Sequence, residues 1–238
     1  AGDNLQSVSF FDSSKGFIAS TNGNVYTTAD GGANWTQRNI ALVTLRSVQY
    51  VTSTIGYAVG QSGNVFKTTD SGVNWSQQAS NTVSNLNSVY FMDENVGWTV
   101  GANDVVIRTT DGGDNWTAAT SGVGTTLRGV AFNNTGTTGI LVGNGGGVAQ
   151  STDGGATWSQ ISVAGIGFDT LRDVVFNPVD NAKAWLVGDG GIVYKSTDSG
   201  ASWISQTSVY SGYDLRSVDV QNVSAIPEPS TFALGLGA

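Results

Sequence analysis

The sequence predicts an all-β chain folded as a β-propeller of four-stranded blades, from three observations. A turn box recurs five times, an apolar strand motif precedes each box, and the period is 40 to 45 residues. Repeats near forty residues with four short strands each signal a propeller rather than a sandwich. One such unit cannot bury both its faces alone, and radial packing against its siblings solves that.

The boxes are Thr28–Trp35 (TADGGANW), Thr68–Trp75 (TTDSGVNW), Thr109–Trp116 (TTDGGDNW), Ser151–Trp158 (STDGGATW) and Ser196–Trp203 (STDSGASW). Asp followed by Gly-Gly or Ser-Gly is a hairpin signal, because Gly supplies positive φ. The carboxylates of Asp30, Asp70, Asp111, Asp153 and Asp198 are expected to accept bonds from their own turns, helped by the Ser/Thr two residues earlier. The rings of Trp35, Trp75, Trp116, Trp158 and Trp203 are expected to pack into the sheets. Each would remove roughly 150–250 Å² from water, worth about 4–6 kcal/mol gross. A calcium loop needs several oxygen ligands. Most copies carry one carboxylate, and only the third has two, Asp111 and Asp114, so neither metal nor cofactor is expected.

The strand motif reads Leu-x-small/polar-Val-x-aromatic. Its copies start at Leu5, Leu45, Leu86, Leu127 and Leu171, with a sixth, LRSVDV, at Leu215 and no box after it. An apolar stretch follows each of the first five: Gly16–Ser20, Gly56–Gly60, Gly97–Gly101, Gly139–Gly143 and Ala184–Gly188. A short strand then leads into the box. Five complete units and an extra inner-type strand imply five or six blades. Trp98, Trp185, Tyr210 and Tyr213 are expected to pack in the core or at blade edges.

Composition narrows function. The formal charge is −8 and no basic tract appears, which argues against nucleic acid, whose nonspecific binding rests on phosphate neutralisation. There is no Cys and no His, so thiolate sites and the commonest general base are missing. Only two glutamates occur, Glu94 and Glu228, and no phosphate loop or nucleophile elbow appears. Pairs of Asp remain available to a glycosidase.

One charged pattern stands out. Four of the six inner-type strands carry Arg after the Leu: Arg46, Arg128, Arg172 and Arg216. Alternation along a strand places each Arg on the face of the buried Val and aromatic. If these strands are innermost, the guanidiniums crowd one mouth of the central channel and attract an anion or an acidic partner segment. The alternative is that each Arg solvates a strand end or pairs with a carboxylate such as Asp173 or Asp219.

The boxes resemble the Asp-box, or bacterial neuraminidase repeat. The longer unit, for example LRSVQYVTSTIGYAVGQSGNVFKTTDSGVNW (Leu45–Trp75), resembles the photosystem II assembly and stability factor family over residues 5 to 203. That resemblance implies a propeller in which the box is a structural hairpin and not an active site. The family's usual seven blades exceed the units here. The end, AIPEPSTFALGLGA (Ala225–Ala238), resembles the start of a PEP-CTERM sorting signal, which marks proteins exported by Gram-negative bacteria. The opening Ala1-Gly2-Asp3 shows no signal-peptide pattern.

The expectation is therefore a propeller over residues 1–222 and a sorting-like tail over 223–238. The chain is read as an exported, non-enzymatic module of the periplasm or cell surface. Its partner would be a protein, either in a membrane complex or a neighbouring subunit, with polysaccharide as a further partner class. The competing readings are a structural subunit joined through its C-terminal strand and tail, and a carbohydrate-active enzyme.

Overall fold

The computed structural model describes residues 2–206 and 212–220. It contains five four-stranded antiparallel sheets, each a simple meander. Blade 1 is Leu5–Phe10 (β1), Gly16–Ser20 (β2), Asn24–Thr28 (β3) and Thr36–Asn39 (β4). Blade 2 is Leu45–Tyr50 (β5), Gly56–Gly60 (β6), Val65–Thr68 (β7) and Ser76–Gln78 (β8). Blade 3 is Leu86–Phe91 (β9), Gly97–Gly101 (β10), Val105–Thr109 (β11) and Thr117–Thr120 (β12). Blade 4 is Leu127–Phe132 (β13), Gly139–Gly143 (β14), Val148–Ser151 (β15) and Ser159–Ile161 (β16). Blade 5 is Leu171–Phe176 (β17), Ala184–Gly188 (β18), Val193–Ser196 (β19) and Ile204–Ser205 (β20).

The Leu-x-x-Val strands are innermost, and each packs beside the next: β1 on β5, β5 on β9, β9 on β13, β13 on β17. Four apolar cores lie between blades rather than within them. Leu45, Val48 and Tyr50 pack on Phe17, Ala19 and Val25 of the preceding blade. Leu86, Val89 and Phe91 do the same on Tyr57, Val59 and Val65. Leu127, Val130 and Phe132 meet Trp98, Val100 and Val106, and Leu171, Val174 and Phe176 meet Ile140, Val142 and Val148. Burying three such side chains is worth about 5–9 kcal/mol gross per junction, at roughly 1.5–3 kcal/mol each.

Flat rings carry three of these junctions. Phe17 stacks on Tyr50 at 3.9 Å between centroids, Tyr57 on Phe91 at 3.7 Å, and Trp98 on Phe132 at 3.9 Å. Trp98 is fully buried, as expected. Trp185 is only half-buried, Tyr213 is exposed contrary to expectation, and Tyr210 lies outside the described residues.

The boxes close the outer hairpins as their chemistry demands. In blade 1, Thr28 Oγ1 accepts from the Asp30 and Gly32 N–H groups and donates to Asp30 Oδ1 at 2.8 Å. Asp30 accepts from the Asn34 N–H at 2.9 Å and from its side-chain amide at 2.7 Å. Thr68/Asp70, Thr109/Asp111, Ser151/Asp153 and Ser196/Asp198 repeat this pattern. These bonds hold Asp30, Asp111 and Asp153 at a pKa of about 2, and they lower Asp70 and Asp198 in the same direction. Both Asp111 oxygens are engaged inside the turn, which leaves them poorly placed to ligate a cation.

Each box also ties to its own blade. The fourth box residue donates its N–H to the loop joining the two inner strands: Gly31 to Ser14, Ser71 to Thr54, Gly112 to Asn95, Gly154 to Thr137 and Ser199 to Ala182, at 2.8–2.9 Å. That position tolerates Ser71 at φ 62° and Ser199 at φ 60°. The fifth position is Gly in every copy for a further reason. A Cβ on Gly155 would fall 2.3 Å from Trp98 Nε1 of the preceding blade, and one on Gly200 would fall 2.5 Å from Ile140 Cδ1. The box is thus a lock between blades as well as a turn.

Candidate functional site: an arginine-lined channel mouth

The inner strand of each blade begins with an irregularity that aims its second residue. In blade 2, Leu45 pairs with Gly60 and Ser47 with Val59, which leaves Arg46 as the extra residue of a β-bulge. The same register shift occurs in the other four inner strands. A bulge resets the alternation of side chains. Leu45, Val48 and Tyr50 therefore share the buried face although Leu and Val are three apart. This corrects the expectation that each Arg lies on the face of the Val and aromatic. The bulge turns Arg46, Arg128 and Arg172 out of the interblade core and onto the channel.

The four arginines do come together. Arg46, Arg128, Arg172 and Arg216 line one cavity of about 450 Å³, with Gln6 and Asn87 at the corresponding place in β1 and β9. Next along the strands, Ser7, Ser47, Ser88, Asp173 and Ser217 also line it. Six inner segments thus contribute to one channel. The antiparallel pairing puts the Leu-Arg end of each inner strand beside the turn between the second and third strands. The boxes lie at the opposite end, so the arginine mouth and the box hairpins occupy opposite faces.

Hydrogen bonds fix the individual guanidiniums. Arg46 donates to Asn87 Oδ1 of the next blade at 3.2 Å, while its buried Nε finds no partner among the described residues. Arg128 Nε donates to Asn144 Oδ1 at 2.9 Å. Arg172 pairs with Asp189 through two nitrogens and reaches Asp214 at 3.5 Å. Arg216 is largely exposed, 3.9 Å from Asp214. Partial burial, with Arg172 and Arg46 as like charges nearby, pushes the Arg128 pKa below its ordinary value. Of the residues lining the cavity, Asp173 is the one carboxylate against four guanidiniums. The pairing with Asp189 and Asp214, two carboxylates outside the strand motif, could not be read from repeat spacing.

Burial pushes the Asp173 pKa up, against the pull of bonds from the Val218 N–H at 3.0 Å and Ser217 Oγ at 2.9 Å. The Val218 bond has a repeat meaning. The Val48 N–H donates to Ser7 Oγ at 3.3 Å and the Val89 N–H to Ser47 Oγ at 3.2 Å. Val218 thus takes the place of an inner-strand Val beside blade 5. The sixth inner-type strand expected from Leu215 is in position, but among the described residues, 212–220 join no sheet. Gln221 and the sorting-like tail, 223–238, lie outside the described residues.

Five four-stranded blades around a polar, cation-rich channel define a β-propeller. The family model for the photosynthesis system II assembly factor YCF48 matches residues 2–79, 43–122 and 115–211. The chain belongs to that family. YCF48 from Cyanidioschyzon merolae is 20% identical over 90% of this chain and 88% of its own, with a TM-score of 0.57. A structure of YCF48 bound to D1 peptide is 20% identical over 85% of this chain and 80% of its own, with a TM-score of 0.50. An ancestral GH74 enzyme superposes with a TM-score of 0.75 at 18% identity, over 90% of this chain and 32% of its own. These likenesses are at the level of fold. No curated protein matches the chain.

Proposed function

We propose that this chain is an exported, non-enzymatic propeller that binds a protein partner, as an assembly component for a membrane complex, through its arginine-lined mouth. The observation that carries the reading is the convergence of Arg46, Arg128, Arg172 and Arg216 on one cavity against a single lining carboxylate. A concave site with low-dielectric walls focuses the field of such charges on an entering anion. Arginine forks suit a carboxylate held by two parallel bonds. An acidic chain segment or a free C-terminal carboxylate is the chemistry that fits. A family member bound to D1 peptide supports peptide recognition by this kind of propeller.

The fold likeness to GH74 enzymes favours a carbohydrate-active alternative. A glycosidase of the common kind needs two carboxylates flanking one bond. At this mouth Asp173 is the one carboxylate among the lining residues; its Oδ2 accepts from Ser217 Oγ and the Val218 N–H, and its Oδ1 from the Val174 N–H. That supports binding over hydrolysis.

The test is titration of a fluorescent acidic peptide into the protein and into a variant with all four arginines changed to Gln. Wild type should bind saturably, and the variant should bind at least ten-fold more weakly with an unchanged circular dichroism spectrum. Equal binding by both would end the proposal for the mouth. Glycan hydrolysis by the wild type would favour the enzyme instead.

A further inference from the structure

The five blades leave one junction unmade. Leu45, Leu86, Leu127 and Leu171 are each 0% exposed, whereas Leu5 is 58% exposed. Val48, Val89, Val130 and Val174 are 4–7% exposed, whereas Val8 is 60%. Tyr50, Phe91, Phe132 and Phe176 are 3–7% exposed, whereas Phe10 is 45%. The trailing face of blade 1 is a complete junction half with nothing against it among the described residues.

The facing side shows the same vacancy. Trp185 and Lys195 of blade 5 correspond to Tyr57 and Lys67 of blade 2. Tyr57 Oη and Lys67 Nζ both donate to Gly112 O in the box of the next blade, each at 2.7 Å. Lys195 lies over Trp185 at 5.4 Å as Lys67 lies over Tyr57 at 5.8 Å, but among the described residues neither Lys195 nor Trp185 has a box carbonyl to bond. Between these two faces, residues 215–220 hold the innermost position of a sixth blade. Leu215 donates its N–H to Gly188 O and Val218 to Asp173, and the segment has no sheet partner on its outer edge among the described residues.

We infer that the sector between blades 5 and 1 is a strand-acceptor site. Its occupant is an extended partner segment with a large, preferably aromatic, residue and a small aliphatic residue two positions on. The four made junctions specify that chemistry. What covers each Leu, Val and aromatic is the second strand of the preceding blade: Phe17 and Ala19, Tyr57 and Val59, Trp98 and Val100, Ile140 and Val142. In three of them the large residue is a ring stacked on the inner-strand aromatic. Phe10 has the same ring in the same register, and its aromatic neighbour is Trp35 of its own box, edge-on at 6.0 Å. An added strand would pair its backbone with the free edge of 215–220, and its alternate side chains would fill the groove over Leu5, Val8 and Phe10. This groove is apolar and adjoins the charged mouth, whose lining also includes Leu5 and Val8, but Phe10 lies outside that lining.

A labelled nine-residue peptide copying Ser53–Gln61 (STIGYAVGQ) is a suitable probe, titrated into the full chain and followed by fluorescence anisotropy. The expected result is saturable binding. Val8→Asp, at an exposed site, should weaken it at least ten-fold with an unchanged circular dichroism spectrum, as should Tyr→Asp in the peptide. A variant with only Arg46, Arg128 and Arg172 changed to Gln, all outside the 215–220 segment, should bind this peptide as wild type does, which separates failure here from failure at the mouth. No saturable binding, or binding indifferent to Val8→Asp, overturns the inference. Sedimentation showing concentration-dependent dimers abolished by Val8→Asp would assign the face to a second copy and overturn it. Binding only after deletion of residues 221–238 would assign it to the chain's own end and overturn it equally.

Discussion

Gly155→Ala and Gly32→Ala change the same box position and should differ sharply in cost. Both glycines have positive φ, 71° and 91°. An L-residue there pays about 1–2 kcal/mol in either blade. The surroundings differ. A Cβ at Gly155 would lie 2.3 Å from Trp98 Nε1 and 2.8 Å from Phe132 Cζ, inside a stacked pair that cannot yield. A Cβ at Gly32 meets only its own Trp35, at 3.4 Å, because no described blade packs against that side. Forcing a methyl into a packed core costs a further ~1–3 kcal/mol. At roughly 2–4 °C per kcal/mol for a chain of this size, Gly155→Ala should melt about 2–12 °C below Gly32→Ala. Thermal unfolding followed by circular dichroism measures both. Equal melting temperatures would refute the box as an interblade lock and leave it merely a turn.

Other consequences follow from the same geometry. Thr109→Val removes the acceptor for the buried Gly113 N–H, bonded at 2.9 Å, and should cost about 1–3 kcal/mol, while Thr109→Ser should melt near wild type. Asp30, Asp111 and Asp153 titrate near 2 in the fold against an ordinary 3.8. Their stabilisation is therefore complete above about pH 4 and lost as pH falls from there through about 2, which urea midpoints between pH 5 and 2 would register. Asp173 has the opposite sign. Its raised pKa favours the fold below the ordinary carboxylate value, and that contribution fades as pH rises through the shifted one. Asp173→Asn should abolish this slope, and an unchanged pH profile would contradict its burial. Binding of an acidic peptide at the mouth should weaken as salt rises from 50 to 500 mM, because the four guanidiniums act through a screened field.

The sequence made blade architecture legible because every junction repeats one chemistry. A Leu, a Val and an aromatic recur at fixed offsets, and each finds the same second strand of its neighbour. The box was equally readable, since Thr28, Asp30 and Gly32 satisfy one another within five residues. Less visible was the bulge at Leu45–Ser47. Alternation assumes unbroken pairing, so it puts Arg46 on the wrong face, although the recurrence of Arg after Leu does point to its meeting with Arg128 and Arg172. Nothing in spacing could show that Asp189, at the tip of a turn, would claim Arg172. Nor could a pattern that makes Leu5 identical to Leu45 reveal that one is bare and the other sealed. That difference belongs to the order of blades, not to the residues.

The bulge also explains how one strand can serve stability and binding together. Were pairing regular from Leu45 onward, Leu and Val three apart would fall on opposite faces, and either the core or the channel would receive the wrong side chain. The extra residue lets Leu45 seal the junction with Phe17 while Arg46 leaves it. The positive charge is thereby held at the rim by Asn87, Asn144 and Asp189, outside the apolar contacts that hold the blades together. Changing the arginines to Gln should accordingly leave the melting temperature within a few degrees of wild type while peptide binding falls. A variant that lost both together would mean that the guanidiniums are struts of the channel wall, and the mouth would then have no charge free for a partner.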